Sequence, residues 1–306
     1  MSEKKLKVAI LGTGNIGTDL LMKVLQSPNL ECAVFIGRNL QSQGILKARD
    51  LGINISNRGI NEIIDNPDCC DLVFDATSAS SHRTHWEILK TLGKIVIDMT
   101  PSNIGQMFVP AINDLSILNQ EHININMISC GGQVSIPIAH AITQTHSNTK
   151  YIEVVSSIAS LSAGPGTRAN IDEYIHTTEK GLALFSGCGN TKTILNLNPA
   201  SPCIHMQTTI FAEVDKPDIE ALSKKIEVLI KKIQAYVPGY KLVVPPVFEN
   251  NRIVVTVMVS GKGDFLPEYA GNLDIINCAA VAAAEEIAKK IDTLRDPVEY
   301  RLNYNE

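Results

Sequence analysis

The 306-residue sequence lacks the features of several large classes of protein. Its 27 Lys and Arg residues are outnumbered by 32 Asp and Glu, so the chain has no excess of positive charge with which to bind a nucleic-acid backbone. The most apolar run, residues 279–284, is far shorter than a membrane span and ends at Glu285. Residues 1–5 run into a strand pattern without the apolar core of a secretion signal. We therefore expect a cytoplasmic protein that binds neither nucleic acid nor membrane.

Cysteine is also too sparse and irregular to build a framework. The chain has 7 cysteines, an odd number that includes the neighbours Cys69 and Cys70. Their spacing fits neither a disulfide scaffold nor a metal site, so we expect reduced thiols and no bound metal. Hydrophobic residues make up 44% of the chain and charged residues 19%, as in ordinary globular proteins. A chain of this length usually folds as two domains.

The first part of the chain alternates apolar runs with amphipathic stretches. Strands are predicted at residues 6–11, 31–36, 71–75 and 94–98, and helices at 16–26, 44–51 and 80–92. Strands that alternate with helices predict right-handed crossovers and a parallel sheet. Residues 124–129 are expected to add one more strand to that sheet.

The pattern changes after Cys130. Helices are predicted at residues 133–144, 171–184, 219–233 and 272–291, and strands at 151–160, 203–214 and 252–260. Longer strands with longer connections are typical of a mixed, largely antiparallel sheet. The predicted fold class is therefore α/β, a Rossmann-type parallel sheet domain followed by an α+β domain.

A glycine-rich motif follows the first predicted strand. Gly12, Gly14 and Gly17 have the spacing Gly-x-Gly-x-x-Gly before a helical pattern, which is typical of dinucleotide binding. We expect Gly12 to permit a tight turn, Gly14 to let the backbone approach a pyrophosphate, and Gly17 to allow close packing of helix and strand. The N–H groups at the helix N-terminus would face the phosphates.

The end of the second predicted strand leaves the choice of dinucleotide open. It continues into Gly37, Arg38 and Asn39, with no Asp or Glu where an NAD-specific site usually carries one. Arg38 suits a 2′-phosphate, an adenine face or solvent equally well. NAD and NADP are therefore both compatible with this motif.

Cys130 is the strongest candidate for a nucleophile. It lies between the predicted strand at residues 124–129 and a helix, and Gly131 and Gly132 follow it. A sulfur at a helix N-terminus is favoured as its anion by the free N–H groups and the dipole, so we expect a lowered pKa. The two glycines would expose N–H groups for an oxyanion. The other cysteines are interpreted as buried structural residues.

A second glycine-containing loop follows the predicted strand at residues 151–160. Gly164, Gly166 and Arg168 can present N–H groups and one cation to a ligand, although the same pattern also suits a plain turn with a helix cap. His82, His85 and His140 lie on predicted helices without metal-ligand spacing, so we interpret them as satisfied core or surface residues.

Several segments together resemble the acylating, CoA-dependent acetaldehyde dehydrogenases of aromatic-degradation (meta-cleavage) pathways. The matching segments are residues 12–19, 73–78, 130–133 with Ile136 and Pro137, 162–172, 198–200, 236–240 and 266–274. They extend over nearly the whole chain to about residue 290. The match is thus far more specific than one glycine motif.

The resemblance implies a domain organisation, site residues and partners. It implies a Rossmann domain at residues 1–130 that the C-terminal helix, 271–306, completes, and a catalytic and dimerisation domain at 131–270. It also implies a homodimer and a 4-hydroxy-2-oxoacid aldolase partner that delivers the aldehyde through a tunnel. With the motif glycines, the expected NAD-binding residues are Gly12, Thr13, Gly14, Asn15, Ile16, Gly17, Ser162, Ala163, Gly164, Pro165, Gly166, Thr167, Arg168, Ala169 and Asn170, with Asn272 at the nicotinamide end.

Two departures from the family pattern limit what can be carried over. The stretch between Tyr240 and Arg252 is shorter than in the degradative members, which affects expected surface contacts. Thr208 stands where those members carry an acidic residue. His205 lies three residues away and would face the opposite side of an alternating strand, so it is not expected to substitute.

Residues and resemblance agree on a thiol-dependent oxidation of an aldehyde. The Cys130 thiolate would form a thiohemiacetal, loss of hydride to NAD would leave a thioester, and coenzyme A would take the acyl group. One alternative is a phosphate-dependent semialdehyde dehydrogenase, which would need clustered Arg in the second domain, where only Arg168 and Arg252 lie. Another is a dinucleotide-sensing Rossmann protein without turnover, which would not need Cys130.

Overall fold

The computed structural model describes residues 5–117 and 122–295, with side chains as far as residue 291. The first sheet contains seven strands: β1 (Leu6–Leu11), β2 (Leu30–Ile36), β3 (Ile55–Ser56), β4 (Leu72–Asp75), β5 (Ile95–Asp98), β6 (Gln106–Met107) and β7 (Asn124–Asn126). Every pairing is parallel, in the order β3-β2-β1-β4-β5-β7-β6. Four helices connect its strands: α1 (Asn15–Gln26), α2 (Gln43–Asp50), α3 (Asn61–Asp65) and α4 (Ala79–Thr91).

The central strands of this sheet are buried on both faces. Each residue of β4 and β5 is buried, which is why both strands are continuous apolar runs without alternation up to their terminal Asp. Ile10 and Phe74 point into one hydrophobic cluster, and their neighbours Leu11 and Val73 point into another on the opposite face. The strand order reverses beside β1, so the carboxyl ends of β1 and β4 flank a crevice.

The second sheet contains β8 (Tyr151–Ala159), β9 (Thr191–Asn198), β10 (Met206–Glu213), β11 (Tyr240–Glu249) and β12 (Arg252–Val259). Its order is β11-β12-β10-β8-β9, antiparallel except for the parallel pair β8–β9. The remaining helices are α5 (Cys130–Thr145), α6 (Pro165–Ala169), α7 (Ile171–Ser186), α8 (Ile219–Gln234) and α9 (Gly271–Arg295).

Helix α9 links the hydrophobic cores of the two sheets. Ile276 and Ala279 pack in the cluster of the first sheet, whereas Ile275 and Cys278 pack in that of the second. The buried Lys23 on α1 reinforces this contact with ion pairs to Asp274 on α9 (2.7 Å) and to Asp19 (2.9 Å). None of the described helices has the length and apolar character needed to cross a bilayer.

The predicted fold class is confirmed, and most predicted elements agree with the structure within one or two residues. The larger differences lie in the β7–α5 connection, at the start of β10, at the end of α9, and in elements that the sequence pattern does not predict. The strand predicted at 124–129 ends at Asn126, and the helix predicted from Gln133 begins at Cys130. The sequence pattern does not predict strands β3, β6, β9 and β11 or the short helices α3 and α6. In β11, Pro245 and Pro246 break the pattern, and the register shifts there; prolines are tolerated because this strand lies at the sheet edge. The predicted C-terminal segment beyond Arg295 lies outside the described residues.

Candidate active site

The glycine-rich turn has the geometry expected from its sequence. Gly12 has a φ of +114°, and its N–H donates to the carbonyl of Ile36 (2.8 Å). A Cβ at Gly12 would collide with the carbonyl of Ala76, and one at Gly17 with the carbonyl of Gly12. Nothing lies within 4 Å of the Cβ position of Gly14, the residue that caps α1. The turn is therefore tight at Gly12 and Gly17 and open at Gly14.

A cavity of about 490 Å³ lies against this turn, at the carboxyl ends of the parallel strands. Its walls come from the turn after β1, the end of β2 and the start of α4, and they include Gly12, Thr13, Gly14, Gly37, Arg38, Asn39, Ala76, Thr77, Ser78 and His85. No Asp or Glu is among the described residues that line it. Its size and its position at the N-terminus of α1 suit a dinucleotide.

A second cavity, about 110 Å³, adjoins the first. Residues 76–78 and Gly166 line both spaces, so the two form one continuous crevice. Cys130, Tyr174 and Asn272 line the inner space, together with apolar side chains such as Ile128 and Ile276. A ligand that fills the outer cavity would extend past residues 76–78 toward the thiol.

Cys130 is held by a strained connection between β7 and α5. Ile128 has a φ of +66°, which a β-branched residue rarely adopts and which costs on the order of 1–3 kcal/mol. Ser129 caps the helix: its Oγ accepts from the N–H of Gly132 (2.9 Å) and contacts Oγ1 of Thr178 (2.6 Å). Gly132 is required here, because a Cβ would press into the side chain of Ile128. The connection fixes the sulfur at the first turn of α5.

The expected lowering of the Cys130 pKa is wrong for the unliganded protein. Burial raises the pKa of this thiol to about 11, against the lowering effect of the Tyr174 hydroxyl and of the backbone N–H groups of Gly131 and Cys130. The helix N-terminus does act in the expected direction, but the loss of water around the buried sulfur outweighs it. At pH 7 only about one thiol in ten thousand is ionised at such a pKa.

Asn272, at the start of α9, has an unsatisfied amide inside the inner cavity. Only 1% of its surface is exposed, and neither its side-chain nitrogen nor its oxygen has a hydrogen-bond partner among the described residues. A buried amide without hydrogen-bond partners destabilises the folded protein unless a ligand supplies the missing hydrogen bonds. A carboxamide is the matching group, since it offers one donor and one acceptor to an Asn side chain.

The loop predicted to bind the cofactor enters the crevice only in part. Gly166, Thr167 and Asn170 line the inner cavity, whereas Ser162 and Ala163 are buried and line neither cavity. Arg168 is exposed and holds its own loop: Nε donates to the carbonyl of Ala163 (2.9 Å) and Nη2 to Oγ of Ser160 (2.8 Å). Its guanidinium thus stabilises the loop in the unliganded protein.

Known proteins match this chain along most of its length. A family model described as the NAD-binding domain of semialdehyde dehydrogenase matches residues 7–103, and one described as prokaryotic acetaldehyde dehydrogenase, dimerisation, matches residues 130–267. The chain is 56% identical to an acetaldehyde dehydrogenase from Pectobacterium atrosepticum, over 93% of this chain and 96% of that protein. It is 57% identical to one from Spirochaeta aurantia, over 94% and 97% of the two chains. The chain belongs to the acetaldehyde dehydrogenase family.

Within this family's fold, the structure reveals a buried polar network that sequence reasoning missed. Asp75, at the end of β4, accepts hydrogen bonds from Nδ1 of His82 (2.9 Å) and Nδ1 of His85 (2.8 Å). Burial opposes ionisation of Asp75, but these two histidines hold its pKa well below the usual range. Burial likewise lowers the pKa of His82, and the hydrogen bond to Asp75 and the charge of Asp98 raise it above its ordinary value.

This network positions the loop that separates the two cavities. The N–H of Thr77 donates to Oδ1 of Asp75 (3.2 Å), so the buried ion pair anchors residues 76–78 from behind. Both histidines are satisfied by Asp75, as interpreted from the sequence: His82 lies in the core, and His85 is half-buried in the wall of the outer cavity. The sequence does contain a sign of this network. His82 and His85 are three residues apart on a helix that follows a strand ending in Asp75, and this spacing places both rings on one face of the helix, toward the carboxylate.

Thr208, which stands at the position of the family's acidic residue, and His205 lie apart in this acetaldehyde dehydrogenase fold. Thr208 on β10 is fully buried, and its Oγ1 lies 2.9 Å from Oγ of Ser156 on β8. His205 precedes β10 and contacts the carbonyl of Glu268 through Nδ1 (3.2 Å), and it lines neither cavity. The expectation that His205 does not substitute at position 208 agrees with this placement.

Proposed function

We propose that the protein oxidises acetaldehyde with NAD and coenzyme A to acetyl-CoA and NADH, with Cys130 as the nucleophile. The observation that carries this proposal is the continuous crevice, with a dinucleotide-sized space at one end and a cysteine at a helix N-terminus at the other. The family membership supports the same activity.

The residues of the crevice fit NAD. The free space at Gly14 admits a pyrophosphate, and the unpaired amide of Asn272 fits the nicotinamide carboxamide. The lining residues Gly12, Thr13, Gly14, Ile16, Gly166, Thr167 and Asn170 would hold the cofactor. When bound, NAD supplies the hydride acceptor that lets an aldehyde adduct of Cys130 become a thioester.

The chain's own groups account for the covalent steps. The thiolate of Cys130 attacks the aldehyde carbon, and the N–H groups of Cys130 and Gly131 are the free donors beside the sulfur. The thiol of coenzyme A, as its anion, then attacks the thioester carbon, and the Cys130 thiolate leaves. The thiol proton passes to water, since no Asp, Glu or His is among the described residues lining the inner cavity.

The inner cavity favours a short, uncharged aldehyde. Its volume of about 110 Å³ and its apolar residues, such as Met99 and Leu273, suit acetaldehyde rather than an anionic semialdehyde. Arg168 is engaged with its own loop, and Arg252 begins β12 away from both cavities. Neither provides the anion site that the phosphate-dependent alternative requires.

One face of the second sheet is the surface through which two copies of the chain would form a homodimer. Helices α5 and α8 cover one face, while the other face carries the partly exposed side chains Val155, Ile194, Phe211, Val254 and Met258. A second copy covering this face would form the homodimer, in agreement with the dimerisation description of the matching family model. The division into 1–130, 131–270 and 271–306 and an aldolase partner, both implied by the resemblance, belong to the same proposal.

The decisive assay is NADH formation from acetaldehyde with coenzyme A, with inorganic phosphate, and with neither. We expect repeated turnover with coenzyme A only. Turnover with phosphate would support the semialdehyde dehydrogenase alternative, and NAD binding without turnover under any condition would support a sensor.

A further inference from the structure

A second side chain shares the site of the Cys130 sulfur. The hydroxyl of Tyr174, on α7, approaches both Cys130 and Ser156, although it reaches full hydrogen-bond geometry with no described residue. Only 6% of Tyr174 is exposed, and the residue lines the inner cavity. The absence of a Cβ at Gly131 creates this space, since a methyl group there would collide with the hydroxyl. The glycine after the cysteine therefore admits the phenol to the sulfur.

Two further hydroxyl groups lie behind Tyr174. Ser156 and Thr208 face each other across the antiparallel pair β8–β10, on the buried side of the sheet, with their hydroxyl oxygens 2.9 Å apart. Both are completely buried. The inward faces of these strands are otherwise apolar, as at Val154 and Ile210, so this polar pair is a local exception that extends toward the active site.

Building on the proposed function, we propose that Thr208, Ser156 and Tyr174 form a chain of hydroxyl donors that ends on the sulfur of Cys130 and stabilises its anion. The contact between Thr208 and Ser156 is formed in the unliganded protein, and the two contacts of the Tyr174 hydroxyl would form when the sulfur ionises. Each hydroxyl would then donate to the next and accept from the one behind, which polarises the final O–H toward the sulfur. Tyr174 contacts a reacting atom, whereas Ser156 and Thr208 are positioning residues.

The direction of the chain follows from the protonation of Tyr174. Burial and the neighbouring Cys130 keep the pKa of this phenol well above its ordinary value, so it stays protonated and acts as a donor. Its effect on Cys130 has the matching sign, because it lowers the pKa of the thiol that burial raises. The proton released by Cys130 goes to water, and the phenol retains its own.

The other groups around the sulfur are uncharged. Asn272 on α9 and Thr77 and Ser78 before α4 line the same cavity, and the N–H groups of Cys130 and Gly131 lie beside the sulfur on α5. Nearby on α9, the carboxylate of Asp274 is paired with Lys23. Among the described residues, Tyr174 is therefore the titratable side chain that acts on Cys130.

The test is the rate of iodoacetamide labelling of the Cys130 peptide, followed by mass spectrometry from pH 7 to 11 on the protein without substrates. We expect Tyr174→Phe to lower the labelling rate at a fixed pH below the thiol pKa by about tenfold, because a donor to the anion is lost. Ser156→Ala should lower the labelling rate less than Tyr174→Phe does, and Thr208→Val should lower it least. Tyr151→Phe, whose hydroxyl binds Glu153 on the same strand, is the matched control and should leave the rate unchanged.

Unchanged labelling in Tyr174→Phe, or an equal fall in Tyr151→Phe, would overturn the donor chain. If Tyr174→Phe does not fold, Ser156→Ala and Thr208→Val decide: a lower rate in both supports the chain, and an unchanged rate in both rejects it. The labelling needs neither aldehyde nor coenzyme A. An inactive enzyme with the expected labelling shift would therefore reject the proposed function alone.

Discussion

The two ends of the crevice are built in different ways. The nucleotide end is made mostly by backbone of the first sheet: one turn, two strand ends and a helix N-terminus, with Gly12 and Gly17 lacking the side chains that would collide. The thiol end is made by side chains from distant parts of the chain, with Cys130 from α5, Tyr174 from α7, Ser156 from β8 and Asn272 from α9.

The difference predicts different responses to mutation. A backbone-built site depends on whether glycine is present and leaves little chemistry to any one side chain. A side chain-built site is sensitive to each group and to its burial, as the raised pKa of Cys130 shows. Substitutions at the thiol end should therefore change catalysis with the cofactor still bound, and those at the nucleotide end should change binding.

The largest effect is expected for Cys130→Ala. Loss of the nucleophile should lower kcat by at least about a thousandfold, while the dissociation constant for NAD stays close to that of the native protein. Steady-state kinetics and NAD titration measure the two. Cys203→Ala, a half-buried cysteine outside both cavities, is the matched control and should keep its activity. Retained turnover in Cys130→Ala would remove the covalent mechanism.

The kcat/KM for the aldehyde should depend steeply on pH. Burial raises the pKa of Cys130 to about 11, so the ionised fraction grows as the pH rises toward that value. Where formation of the adduct limits the rate, kcat/KM for the aldehyde should increase by roughly tenfold per pH unit above pH 7. A profile already flat at pH 7 would show that bound cofactor lowers this pKa below the value in the unliganded protein.

At the nucleotide end, Gly14→Ala should weaken NAD binding while leaving the stability of the fold almost unchanged. Its Cβ would enter open space in the unliganded protein, so the free energy of unfolding should change by less than about 0.5 kcal/mol. The same methyl group would occupy the approach of the pyrophosphate and weaken NAD binding by about tenfold. Gly189→Ala, also in open space but outside the crevice, is the control. Equal NAD affinity in both variants would place the pyrophosphate elsewhere.

The smallest effect concerns the two dinucleotides. The outer cavity has Arg38 and Asn39 at the ribose end and no described carboxylate, so a 2′-phosphate meets no repulsion there. We expect NAD to be preferred and NADP to be used measurably, with Arg38→Ala lowering kcat/KM for NADP several-fold more than for NAD. A strong preference for NADP, or no selective effect of Arg38→Ala, would contradict this interpretation.

The same contrast explains which features the sequence predicted. The glycine turn, α1 and the position of Cys130 are local: each depends on residues within one strand–turn–helix segment. Tyr174 could not be identified, because its position three residues into α7 becomes meaningful only where α7 packs beside α5. The predicted direction of the Cys130 pKa shift is wrong for a related reason, because the burial that raises this pKa is a property of the packed molecule.

The thioester on Cys130 is the central claim, and trapping it tests that claim most directly. The protein is mixed with acetaldehyde and NAD without coenzyme A, quenched in acid, and digested, and the peptides are analysed by mass spectrometry. The account predicts one acetyl group on the peptide that contains Cys130, formed together with one equivalent of NADH and removed when coenzyme A is added before the quench. NADH formation without an acetyl group on Cys130, or acetylation of a different cysteine, would contradict it.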